Sequence, residues 1–133
     1  MPTRREFAVL LSAASQAQQN QLPSKTYSFQ DLAVRASGDD RSRALFDGLT
    51  HTGFRVEAHH SELAPGLAPH PPHRHKNEEM LVIREGTIEV TISGKTSILG
   101  PGSVAFVASG EEHGWRNTGT TRAHYTVIAL GSR

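Results

Sequence analysis

His73-Arg74-His75-Lys76-Asn77-Glu78-Glu79, answered by His113 on a separate stretch of chain, puts three imidazoles and a carboxylate at spacings that converge on one metal ion. His73 and His75 are two residues apart, so on a β-strand their side chains leave the same face, roughly 7 Å apart at a rise of about 3.3 Å per residue. Both rings can then reach one ion at about 2 Å. Glu79 opens the apolar run Met80-Leu81-Val82-Ile83, which stops at Arg84-Glu85-Gly86. A strand returning beside the histidines brings this carboxylate to the same ion, whereas alternation turns Glu78, the other candidate, to the opposite face. A competing reading takes His70, His73 and His75, set among Pro69, Pro71 and Pro72, as a solvated His/Pro loop. That reading leaves Glu79, Gly86, Gly102, Gly110, His113 and Asn117 unexplained.

The pattern resembles the cupin superfamily. Gly66, His73, His75, Glu79 and Gly86 follow its first motif with one extra residue between Gly66 and His73. Gly102, Gly110, His113 and Asn117 follow its second, with Ala108 where proline is usual. Both departures touch turns, not ligands. The resemblance implies an all-β, jelly-roll-like antiparallel barrel over residues 25–133. It implies a metal at the centre of that barrel, held by His73, His75, Glu79 and His113.

The rest of the chain agrees with one β domain. Its 133 residues suit a single core, and a net charge of +1 with no basic stripe argues against a nucleic-acid partner. No apolar run is long enough to span a bilayer. With no cysteine, thiolate ligands are excluded and the site is an N/O one, suiting Mn, Fe, Co, Ni, Cu or Zn in the divalent state. Strands are predicted at 26–29, 54–59, 71–75, 79–84, 87–92, 96–99, 103–108, 112–117 and 123–130, punctuated by glycine turns. Asp39-Asp40-Arg41-Ser42-Arg43 reads as a polar turn. Alternation turns Leu81, Ile83, Ile88, Val90, Ile92 and Trp115 inward, with Trp115 either walling the ligand space or sitting in the core. Phe106, His124 and Tyr125 are further pocket candidates, against surface or core positions for His124. His51, His59, His60 and His70 take no place in either motif, and His70 is expected at the surface or the rim.

Residues 1–24 form an N-terminal extension. Thr3-Arg4-Arg5-Glu6-Phe7 before an apolar stretch, with Ser15-Gln16-Ala17 as a cleavage site, is similar to a twin-arginine signal for export to the periplasm. The alternative is an amphipathic helix on a cytoplasmic protein.

Two functions of different class fit. One is a metal-dependent enzyme acting on a small oxygenated molecule, as a dioxygenase-type oxidoreductase or as a lyase, decarboxylase or isomerase. The other is a non-catalytic metal or small-ligand binder, a sensor or a storage module. A homodimer is expected, with Tyr27 to Val34 covering a neighbour's edge.

Overall fold

The computed structural model describes residues 21–132, so the export signal and cleavage site expected within residues 3–17 lie outside the described residues. Nine strands and one 3-10 turn, Phe29–Asp31, make up the regular structure among the described residues. The strands are β1 (Arg35–Ser37), β2 (Asp40–Leu49), β3 (Arg55–Leu63), β4 (Glu78–Glu85), β5 (Ile88–Ile92), β6 (Lys95–Leu99), β7 (Val104–Val107), β8 (His113–Asn117) and β9 (Ala123–Leu130). They form a six-stranded sheet in the order β1-β2-β3-β9-β4-β7 and a three-stranded sheet in the order β6-β5-β8. Every strand pair is antiparallel. Two antiparallel sheets closed face to face on a shared apolar core are the barrel that the resemblance implied.

The core is built from one side of each strand. Leu81 and Ile83 of β4, Tyr125 and Val127 of β9, and Ala105 of β7 pack with Ile88, Val90 and Trp115 of the smaller sheet. In β9 the alternation is complete, with Ala123, Tyr125, Val127 and Ala129 buried and the residues between them half-buried. Burying a Leu, Ile or Val side chain contributes roughly 1.5–3 kcal/mol, so this stripe supplies the main drive for closing the sheets. Gly86, between β4 and β5, has φ +84°, and a Cβ there would lie 2.8 Å from the Cα of Ala123. The turn therefore requires glycine both for its backbone angle and for this close approach.

The N-terminal half departs from expectation. Residues 26–29 are not a strand; Tyr27 packs on Phe46 and Phe29 lies against His60, so this stretch covers its own barrel's outer face instead of pairing at an edge. Asp39-Asp40-Arg41-Ser42-Arg43 is not a turn throughout. The reversal is confined to Gly38 and Asp39, and β2 runs ten residues from Asp40. Charge on both flanks hid this strand, since Arg43 points outward to pair with Glu62 of β3 and its guanidinium sits 4.5 Å from the Phe29 ring centre. Residues 71–75 form no ladder strand, because Pro71 and Pro72 offer no N–H to one. The segment is instead tied by an isolated bridge between His73 and His113.

A candidate metal centre

That bridge is where the site is built. The His73 N–H donates to the His113 carbonyl and the His113 N–H to the His73 carbonyl, both at 3.0 Å, while the Gly110 N–H donates to the His75 carbonyl at 2.9 Å. Three backbone hydrogen bonds thus fix a proline-rich segment beside β8, and Gly114 lets Pro72 approach to 3.2 Å of where a Cβ would stand. His73 and His75 still share one side, as their spacing predicted, although a tethered extended loop replaces the expected strand.

One ligand-capable atom from each of His73, His75 and His113 lies within 4.8 Å of the others. Glu79 stands beside them, with Oε1 3.2 Å from His75 Nε2 and Oε2 3.1 Å from His113 Nε2. These are hydrogen-bond and ion-pair distances, and they also match the roughly 3 Å between adjacent ligand atoms around an octahedral ion at about 2.1 Å. Glu78 is turned away, as alternation required, and its carboxylate accepts from the Ser109 N–H.

The second nitrogen of two rings is fixed by the main chain. His75 Nδ1 donates to the Asn77 carbonyl at 2.7 Å, and His113 Nδ1 donates to the Glu111 carbonyl at 2.9 Å. A carbonyl only accepts, so each Nδ1 carries a proton and each Nε2 is turned to the interior, where His113 Nε2 meets the Glu79 carboxylate. His73 is oriented differently: its ring stacks on His70 at 4.0 Å and meets the rings of His75 and His113 edge-on. The Nε2 atoms of His73 and His75 are buried without a hydrogen-bond partner. Burial, then the neighbouring His70, His113 and His75, holds the His73 ring below its usual pKa and thus neutral, the form that ligates. Three imidazole nitrogens converging beside a carboxylate, two of them buried without a hydrogen-bond partner, fit a divalent transition metal.

The residues expected around the pocket divide. Leu81 and Trp115 face inward and are 3% and 7% exposed, with Trp115 stacked near His113 and edge-on to Tyr125. Phe106 does not line a pocket. It pairs with Met80 on the outer face and is 52% exposed, because inward Glu79 and Leu81 put their neighbours outside. His124 is also on the outer face, between Glu62 and Glu85. Asn117 of the second motif is a turn organiser, donating to the Leu63 and Thr121 carbonyls and accepting from the Gly119 N–H. Tyr125 is in the core, where burial pushes its hydroxyl up to about 12.

Two inward polar residues were missed. Glu57 and His59 of β3 line a cavity of about 510 Å³ together with Ser42 and Ala44, and Glu57 also lines a space of about 170 Å³ shared with Glu79 and Asn77. The alternation of β3 carries the signal, since Glu57 and His59 share one face of the strand.

A family profile described as "Cupin domain" matches residues 59–129. Among solved structures, an RmlC-like cupin from Shewanella frigidimarina aligns with a TM-score of 0.67 at 20% identity, over 83% of this chain and 94% of that one. KdgF from Halomonas sp. aligns with a TM-score of 0.72 at 13% identity, over 84% and 96%. A predicted oxalate decarboxylase from Thermotoga maritima aligns with a TM-score of 0.66 at 21% identity, over 81% and 100%. At these identities the likeness is one of fold. No curated protein matches the chain. No helix among the described residues is long and apolar enough to cross a membrane.

Proposed function

The chain belongs to the cupin superfamily, its profile match covering residues 59–129, and from that premise we propose that it is a metal-dependent cupin acting on a small oxygenated molecule. The leading forms are dioxygenase-type oxidation and Lewis-acid lyase or isomerase chemistry. One observation carries the reading: His73 Nε2 is buried without a hydrogen-bond partner, beside a Glu79 carboxylate that meets the Nε2 atoms of both His75 and His113. Apolar replacement of these groups would be the cheaper solution for a core that served stability alone.

A divalent transition metal supplies Lewis acidity toward a carboxylate, carbonyl or enolate oxygen and, if it is iron or manganese, redox chemistry with dioxygen. The protein's part is positional. The Asn77 and Glu111 carbonyls hold two imidazoles in the tautomer and plane needed for ligation. His73, His75, Glu79 and His113 would hold the ion, with Glu79 offsetting part of its charge, and a metal of higher coordination number would still have room for a substrate oxygen. Leu81, Val107 and Trp115 keep the interior dry on one side, which strengthens every polar interaction there. The polar wall of Glu57 and His59 supplies acid/base groups that a mere storage site would not require.

The test is a screen of small carboxylic, hydroxy and keto acids against metal-loaded and chelated protein, each with and without oxygen. Turnover that needs the metal is expected. Metal-loaded protein that binds acids without converting any of them would identify the domain as a binding module instead.

A further inference from the structure

In β3, Glu57 pairs with Ala129, and Ala129 pairs on its other side with Glu79; His59 pairs with Val127, which pairs with Leu81. Residues opposite one another in antiparallel strands project to the same face, so Glu57 and His59 share the barrel's inner wall with Glu79 and Leu81. Val56 and Ala58 face outward, and of the inward positions only Leu63, at the end of the strand, joins the apolar core. A strand that sends its polar side into a barrel must satisfy those groups there.

Glu57 and His59 satisfy each other in part. His59 Nδ1 donates to Glu57 Oε1 at 2.8 Å, since a carboxylate only accepts, and this leaves His59 Nε2 as an acceptor. The two side chains are 31% and 24% exposed, open enough for a small molecule to reach. Glu57 borders both the space beside Glu79 and the larger cavity with His59, so the polar wall leads away from the four-residue centre along β3. With β9 between them, the β3 and β4 backbones are two strand spacings apart, about 10 Å, and the space lined by Glu57, Ala129 and Glu79 lies over β9, where a short molecule would reach from Glu79 to β3.

The geometry points to a second anchor inside the barrel, in which the Glu57–His59 pair accepts a hydroxyl carried at the far end of a ligand whose other end is a carboxylate or enolate at the metal. The inference rests on the metal-centre reading above and narrows its substrate class to short hydroxylated acids. Glu57 sets the ring of His59, and His59 Nε2 takes the hydroxyl proton in a hydrogen bond.

Cobalt(II)-loaded protein tests this through binding alone, because its visible absorption changes when an acid reaches the ion. Two series are titrated: straight-chain acids from acetate upward, and the same acids bearing a terminal hydroxyl. At one intermediate chain length the hydroxy acid is expected to bind about two- to tenfold more tightly than its plain counterpart, the effect of one net hydrogen bond. His59→Ala and His59→Gln should erase that advantage and Glu57→Gln should reduce it, with cobalt content and plain-acid affinity unchanged. An advantage absent at every length, or one that survives both His59 substitutions, overturns the anchor. So does loss of cobalt from the His59 variants, which would make His59 part of the metal site. If neither series perturbs cobalt that is demonstrably bound, the open-position reading fails, and the anchor with it.

Discussion

At the scale of single residues, the clustering of the proposed ligands is the part most legible in the sequence. The spacing of His73, His75 and Glu79 and the distant His113 were enough to name four side chains that the fold brings together. The hydrogen bonds that orient two of the rings were not legible, because their acceptors are backbone carbonyls of Asn77 and Glu111, which no side-chain pattern marks. Glu79→Gln keeps shape and a carbonyl donor while removing charge, so isothermal titration should give a metal affinity well below the native one, with the circular dichroism spectrum unaltered. An unchanged affinity would remove Glu79 from the site. Asn117 makes a contrasting case, since its amide is fully buried and serves the Leu63 and Thr121 carbonyls. Leaving buried partners unpaired costs about 1–3 kcal/mol each, so Asn117→Ala should lower stability to urea by about 2–4 kcal/mol. A loss under about 0.5 kcal/mol would show that solvent replaces the amide.

At the scale of elements, strands bounded by glycine and carrying an apolar stripe were readable, and strands with two polar faces were not. β4, β5 and β9 were placed within a residue or two because burial of one side enforces alternation. β2 was read as a turn and β3 was cut short at His59, because Arg43, His60 and Glu62 occupy a face where ion pairs and an aromatic ring take the place of apolar packing. This face makes a prediction about pH. Burial, then Arg84, Arg43 and His59, holds His60 below its usual 6.5, and its Nδ1 accepts from Arg84 at 3.2 Å. A histidine whose folded pKa is depressed favours the folded state above its unfolded value and withdraws that support as pH falls through the folded one. Burial pulls Glu62 upward, but the hydrogen bond and charge of Arg43, with His124 and Arg122, outweigh it and hold the carboxyl below 4.5. Its support is present above 4.5 and is likewise lost toward acid. The melting temperature should therefore fall in two stages as pH drops from 7.5, first below 6.5 and again below 4.5, and His60→Gln should shrink the first stage to the part that His73, likewise held low by burial, contributes. A profile flat between pH 7.5 and 5 in the native protein would contradict this.

At the scale of the whole molecule, the barrel and its inner face were inferable, while the lie of the N-terminal stretch was not. Tyr27 and Phe29 dock on their own barrel through contacts with Phe46, His60 and two guanidinium groups, partners that only the closed fold assembles. The outer face of the larger sheet still presents Val104 and Phe106, both more than half exposed, beside Met80 and Val82. A homodimer through this face is the expected state, and light scattering should return twice the 14.5 kDa chain mass, whereas a monomer at high concentration would contradict it. The apolar core does not pass through the metal ligands, so metal-free protein should stay folded and melt at a lower temperature than the loaded form, because a ligand bound only by the native state stabilises it. The most direct test of the account is elemental analysis of protein purified without added metal, native beside His75→Ala and His113→Ala. The account predicts a first-row transition metal approaching one ion per chain in the native protein and near-complete loss in both variants; equal occupancy in all three would contradict it.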